Sequence, residues 1–294
     1  MEIIVAPDSG FCFGVERNIK LALSAIPHGE KKNKKKPIYS LGPLIHNPQV
    51  VKDLEKQGIK VVSKLANIEK GTLIIRSHGV PPALLEEAKR KKFKIIDATC
   101  PFVQRAQKLV SQMVKHHYKV VIVGDSSHPE VLSLLGFSYG QGTVISDPGE
   151  VDKITFSLKI GVVAQTTQSI DNFRDVVAKL VTKTKELKVH NTICEATMKR
   201  RESAKIIAGE VDLMLVIGGY NSANTTRLAE ICRQENPHTC HIETLKDLDL
   251  KVLKGKKKIG ISAGASTPAW IIKEIVEELT RLTKKLEKNG GRKK

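Results

Sequence analysis

The stretch EIIVAPDSGFCFGVER (residues 2–17) reads as a short strand, a turn, a cysteine and the start of a helix. The same succession recurs in KIIDATCPFVQR (94–105) and in KVHNTICEATMK (188–199). Cys12, Cys100 and Cys194 therefore stand roughly a third of the 294-residue chain apart. Each closes a short apolar run, and a basic residue follows five positions later (Arg17, Arg105, Lys199). A zinc-ribbon cysteine has a partner within two to four residues. These have none, so only a fold that repeats brings them together. Three convergent thiolates suit an iron–sulfur cluster that keeps one iron open for chemistry.

Working outward, β-branched runs alternate with helical stretches, the pattern of βαβ units and parallel sheets. The first unit carries strand candidates at 37–42, 60–63, 72–79 and 94–99, the second at 119–125, 143–147, 159–165 and 188–193. The third carries only 212–219, 240–244 and 258–264, and its fourth strand is supplied by EIIVA (2–6). The expectation is an α/β protein of three similar small parallel-sheet units, arranged pseudo-threefold around a central site. The unit boundaries are 13–99, 100–193 and 194–281 completed by 1–11, with a basic tail over 282–294.

Polar turns keep register with this repeat. GPLIHN, DSSHPE and GYNSANT follow the first strand of each unit, and SHGVP, TTQS and GASTP follow the third. All fall at carboxyl ends of strands, where parallel sheets place ligand sites. His46, His78 and His128 suit phosphate oxygens as donors. Asn47, Ser222, Asn224 and Ser266 add hydroxyl and amide groups, and glycine-rich turns free backbone N–H groups near helix starts. Glu130 is the carboxylate that fits an acid, because burial near a cluster and an anion raises its pKa. The competing reading makes it an ordinary first-turn glutamate beside Pro129. Thr166 stands in register to assist a proton relay. His28, His116, His117, His190, His238 and His241 read as ordinary surface or core residues, and Cys232 and Cys240 as structural.

Composition narrows the classes. Hydrophobic residues are 40% and aromatic residues only 4%, which fits an aliphatic α/β protein. Five cysteines without close spacing are not a secreted disulfide scaffold. The start lacks a signal-peptide pattern, and no apolar stretch approaches the roughly 20 residues that cross a bilayer. No membrane association is expected, and a reducing cytoplasm is. The net charge of +18 sits in lysine blocks, Lys31–Lys36, Lys89–Lys92, Lys256–Lys258 and the terminal GGRKK. They lack interleaved aromatics and an RNA-binding signature, so no nucleic-acid partner is expected.

Beside a cluster-based reductase, two other classes stand: a zinc-dependent hydrolase of a phosphorylated substrate, and a non-catalytic binder of anions or RNA. The hydrolase lacks an HExxH-type spacing, and the binder rests on charge alone.

The motifs GFCFGV, HNPQVV, SHGV, DATCP, HPEV, QTT, TICEAT, NSANTTRLAE and SAGASTP together resemble the 4-hydroxy-3-methylbut-2-enyl diphosphate reductase family. That family catalyses the last step of the methylerythritol phosphate route to isoprenoids. The resemblance implies reductive removal of an allylic hydroxyl as water, giving isopentenyl and dimethylallyl diphosphates. It implies that Cys12, Cys100 and Cys194 hold a [4Fe–4S] cluster whose fourth iron takes the substrate hydroxyl. It makes Glu130 the proton donor, assisted by Thr166 and His128. It assigns the diphosphate to His46, His78, His128, Thr166, Ser222, Asn224 and Ser266. A ferredoxin- or flavodoxin-type donor is implied as electron source. The family usually has two serines before the loop asparagine, whereas Ala223 stands in the second place here. The expected cost is weaker substrate binding, on the order of 1 kcal/mol at most.

Overall fold

The computed structural model describes residues 1–27, 36–68 and 70–290. His28, most of the Lys31–Lys36 block and the last four residues lie outside the described residues.

Among the described residues, twelve strands form three parallel four-stranded sheets. The first is β2 (Ile38–Leu41), β3 (Ile59–Val62), β4 (Thr72–Ile75) and β5 (Lys94–Asp97). The second is β6 (Lys119–Val123), β7 (Gly142–Ile145), β8 (Ser157–Ala164) and β9 (Thr184–His190). The third joins β10 (Leu213–Ile217), β11 (Thr239–Ile242) and β12 (Lys258–Ala263) to β1 (Glu2–Val5). Their orders are β3-β2-β4-β5, β7-β6-β8-β9 and β11-β10-β12-β1. The N-terminal strand lies beside β12 from Glu2↔Lys258 to Val5↔Ile261, in the place β5 takes beside β4 and β9 beside β8. All twelve strand expectations are met, including the borrowed one.

The helices are α1 (Phe13–Ser24), α2 (Pro48–Lys56), α3 (Pro82–Arg90), α4 (Pro101–Lys115) and α5 (Pro129–Phe137). They continue with α6 (Ile170–Leu180), α7 (Glu195–Glu210), α8 (Ala223–Glu235) and α9 (Ala269–Gly290). Proline opens α2 to α5, where its missing N–H costs nothing and its fixed φ is already helical. Among the described residues no helix is long and apolar enough to cross a membrane.

The chain divides into two compact units. One comprises Met1–Val15, His46–Val50 and Glu195–Lys294, the other Glu16–Ile45 and Val51–Cys194. In the first, β10 is buried throughout and alternates by face. Leu213, Leu215 and Ile217 join Ile271, Ile275 and Leu279 of α9. Met214 and Val216 join Ala204 and Ala208 of α7 and Leu228 and Ala229 of α8. A sheet covered on both faces reads as an unbroken apolar run, which is why this strand shows no polar alternation. In the second unit, α4 buries Val103, Ala106, Gln107, Val110 and Met113 at helical spacing. Ala106, Val110 and Met113 pack with Val120 and Ile122 of β6 and Val131 and Leu134 of α5. Gly161 and Gly260 occupy matching places on β8 and β12. A Cβ on either would meet a covering helix, at Met113 of α4 or Ile207 and Val211 around α7. The glycine thus sets how closely each helix approaches its sheet.

Candidate active site

In the larger unit the chemistry collects at the carboxyl ends of strands. After β6 the chain turns at Asp125, which accepts the N–H and the hydroxyl of Ser127 at 2.8 and 2.7 Å. Those bonds hold its carboxyl below the usual carboxylate range. His128 caps α5: its Nδ1 accepts the Glu130 N–H at 3.2 Å. A ring nitrogen that accepts carries no proton, so the neutral ring carries its proton on Nε2. The His78 ring meets the His128 ring edge to face, with centroids 5.1 Å apart.

Glu130 is 2% exposed. Its Oε1 accepts the Thr166 N–H at 2.6 Å and its Oε2 the Thr166 hydroxyl at 2.7 Å. Both bonds favour the carboxylate, yet burial outweighs them and lifts the pKa to about 7. Thr166 is tied at a third point, because its carbonyl accepts the Cys194 N–H at 2.8 Å. The acid, its hydroxyl partner and one of the three cysteines are thereby joined through a single residue. The Cys100 turn is hung in the same way, its N–H donating to the Ser77 carbonyl at 2.9 Å. Cys100 caps α4, with Pro101 in the first turn. Two residues of α1, the helix that follows Cys12, brace that turn: Arg17 donates to Thr99 O and Asn18 to Ala98 O, each at 3.2 Å.

In the smaller unit, Cys12 ends a longer turn. Here it is Gly10, two residues earlier, whose N–H reaches the neighbouring turn at Ala263 O. The buried Arg200 donates to Gly10 O at 2.8 Å, and the Ser203 hydroxyl to Pro7 O at 2.7 Å. Asn47 caps α2, accepting the Gln49 and Val50 N–H groups. The Ser266 hydroxyl donates to His46 O at 3.2 Å, fixing the backbone beside the histidine. Ser222 caps α8 and accepts from both the N–H and the hydroxyl of Thr225. Ala223 and Asn224 open that helix, and Ala223 is exposed.

A family model described as "LytB protein" matches residues 3–280. The chain belongs to the LytB protein family. It is 47% identical over 284 residues to the 4-hydroxy-3-methylbut-2-enyl diphosphate reductase of Geotalea uraniireducens, covering 97% of this chain and 99% of that one. The reductase of Geobacter sulfurreducens is likewise 47% identical over 285 residues, with 97% and 99% coverage. Two solved structures share the fold. A structure of (E)-4-hydroxy-3-methyl-but-2-enyl diphosphate reductase, titled the terminal enzyme of the non-mevalonate pathway, is 43% identical with a TM-score of 0.72, covering 96% of this chain and all of that one. The Plasmodium falciparum E-1-hydroxy-2-methyl-but-2-enyl-4-diphosphate reductase is 32% identical with a TM-score of 0.87, covering 95% and 88%.

Within this LytB chain, the larger unit carries Cys100, Cys194, His78, His128, Glu130 and Thr166. The smaller one carries Cys12, His46, Ser222, Asn224 and Ser266. All five cysteines are thiols. Cys232 is buried in α8 and its thiol is pushed up to about 12 by burial, which keeps it inert. Cys240 is on β11 and is also raised by burial. Of the three basic residues that follow the cysteines, Lys199 pairs with Glu195 at 2.8 Å and Arg17 braces Thr99.

Asn18, Arg200 and Ser77 were not legible as site residues. Each acts on a main-chain group far off in the chain, and nothing about a helical asparagine or arginine signals that. Asp97 had a signal: an Asp-x-Thr turn, in which it accepts the N–H and hydroxyl of Thr99.

Proposed function

We propose that this chain is a 4-hydroxy-3-methylbut-2-enyl diphosphate reductase that exchanges the allylic hydroxyl for hydrogen, using two electrons and two protons and releasing water. The observation that carries the reading is Glu130, a fully buried acid with a pKa near 7, tied through Thr166 to the Cys194 turn.

Cys12, Cys100 and Cys194 are the ligand set, Cys12 standing between the strand segment 1–11 and the unit 13–99, and Cys100 and Cys194 opening the units 100–193 and 194–281. The donor chemistry fits: three half-buried thiols, each immediately before a helix whose N-terminal dipole favours negative charge. A [4Fe–4S] cluster bound there supplies one-electron chemistry and a Lewis-acidic iron without a protein ligand. Ferredoxin- or flavodoxin-type proteins are the electron source, in the cytoplasm.

The protein's own residues do the rest. Glu130, whose pKa burial lifts to about 7, gives its proton to the leaving hydroxyl. The Thr166 hydroxyl and N–H fix both carboxyl oxygens in direction. His46, His78, His128, Ser222, Asn224 and Ser266 hold the diphosphate, His128 donating from Nε2. Donors set in advance cost no reorganisation when charge develops on the leaving group.

Purification without oxygen, followed by iron, sulfide and zinc analysis, tests the ligand set. About four irons and four sulfides per chain are expected, with loss of the cluster on substitution of any of the three cysteines by serine. Stoichiometric zinc, or no conversion of the substrate by the iron-loaded protein with a strong one-electron reductant, would overturn the reading.

A further inference from the structure

The loop between β10 and α8, residues 218–222, carries Ser222 and leads to Asn224, and it is held from the side by residues that the proposed reaction leaves unused. Gly218 has φ +150, and a Cβ on Gly219 would meet the Asn221 amide and the His46 carbonyl, so the loop packs tightly. Glycine adopts such a φ without strain, so what fixes the loop is what packs and bonds against it.

Those surroundings are the end of β11. The Glu243 Oε1 accepts the Tyr220 N–H at 2.7 Å. His241 Nε2 lies 2.9 Å from the Gly218 carbonyl. A carbonyl only accepts, so this nitrogen carries its proton and donates. Burial keeps the ring's pKa below its ordinary value, in the neutral form. The Tyr220 ring packs on the His241 ring with centroids 4.9 Å apart, and its hydroxyl reaches the His241 carbonyl at 3.4 Å. The clamp extends to the His46 segment, because Gln49 Nε2 donates to the Glu243 carbonyl at 3.4 Å. Glu243 thus holds the Ser222 loop with its side chain and the His46 segment with its main chain.

We propose that His241 and Glu243 are positioning residues for the diphosphate, holding the 218–222 loop in its binding conformation before the ligand arrives. This rests on the proposed reductase reading for the ligand class. Neither residue touches the ligand in this scheme. Their contribution is to remove the ordering that a loose loop would undergo on binding, which strengthens affinity without altering the chemical step.

Glu243→Ala removes the acceptor, whereas Glu243→Gln keeps an oxygen for the Tyr220 N–H. The Ala variant should raise KM for the substrate, and the dissociation constant for inorganic diphosphate, by about tenfold, with kcat within about twofold. The Gln variant should restore both. Amide exchange at Tyr220 should be fast in the Ala variant and slow in the Gln variant. Should Glu243→Ala not fold, His241→Phe keeps the ring under Tyr220, removes only the bond to Gly218 and should show the same split in milder form. Unchanged KM and diphosphate affinity in the Ala variant, or in His241→Phe where that replaces it, overturns the inference, as does a loss confined to kcat. A wild-type protein that binds inorganic diphosphate but converts no substrate sinks the reductase reading alone, and the clamp is then judged on diphosphate affinity.

Discussion

The starts of α5 and α2 are built alike and do different work. Each is a cap, a proline and a polar residue: His128, Pro129, Glu130 in one and Asn47, Pro48, Gln49 in the other. In both the cap side chain accepts the N–H of the polar residue, at 3.2 and 3.1 Å. In α5 the polar residue is a carboxyl shut away from water, with both oxygens on Thr166. In α2 it is a half-buried amide spent on a backbone carbonyl. The repeat supplies a strand-end geometry, and in the proposed reaction the identity of one side chain decides whether that geometry does chemistry. Glu130→Gln turns the first place into a copy of the second. Turnover should fall by roughly 10²–10⁴-fold, while affinity for inorganic diphosphate stays within about twofold. Retained turnover in a steady-state assay would break the contrast.

The same substitution carries a stability signature. Glu130 titrates near 4.5 when unfolded and near 7 when folded. Below about 4.5 it is protonated in both states and its full contribution is present. As pH rises from there through about 7, the unfolded chain releases the proton first and that contribution is lost. The difference is on the order of 3 kcal/mol. Thermal unfolding of Glu130→Gln should match the parent near pH 4 and exceed it at pH 8. Parallel curves for the two proteins would mean that burial does not govern this carboxyl.

Thr166→Val sharpens the point at smaller scale. It keeps the N–H on Oε1 and removes the hydroxyl from Oε2. Losing a bond that favours the charged form raises the pKa of Glu130 further. Turnover should drop by roughly tenfold, and the high-pH limb of the rate profile should move upward, as a pH–rate series would read. His128→Asn asks less of the fold, since it installs the α2 cap at α5. Stability should stay within about 1 kcal/mol, while KM rises through loss of the Nε2 donor.

Sequence carried most of the fold because the two central strands of each sheet (β2 and β4, β6 and β8, β10 and β12) are largely buried and announce themselves as apolar runs. The borrowed β1 was legible for a simpler reason: the third unit lacked a strand and the N-terminus offered one ending in the same cysteine turn. Glu130 and Thr166 were legible as candidates by register, yet their mutual bond was not, because 36 residues of chain separate them. The bracing contacts were illegible altogether. Arg200 on Gly10, Asn18 on Ala98 and Glu243 on Tyr220 all engage main-chain groups, which look the same at every residue.

The third helix start completes the comparison and yields the smallest effect. Ser222 caps α8, Ala223 follows and Asn224 takes the place of Gln49 and Glu130. Where α2 and α5 have proline, α8 has a residue with a backbone N–H, one of the unspent donors of a helix N-terminus. Such an N–H is available to an anion at the helix start, whichever side chain it belongs to. In the proposed reading, Ala223 therefore retains the backbone donor of the position and lacks only a hydroxyl. Ala223→Ser adds one donor at an exposed site, worth on the order of 1 kcal/mol, so KM should fall by about fivefold with kcat unchanged. Ala223→Pro would erase the N–H as well and make α8 resemble the other two starts, raising KM by more than the serine lowers it. Equal KM values for Ala, Ser and Pro at this position would mean that the diphosphate does not use this helix start.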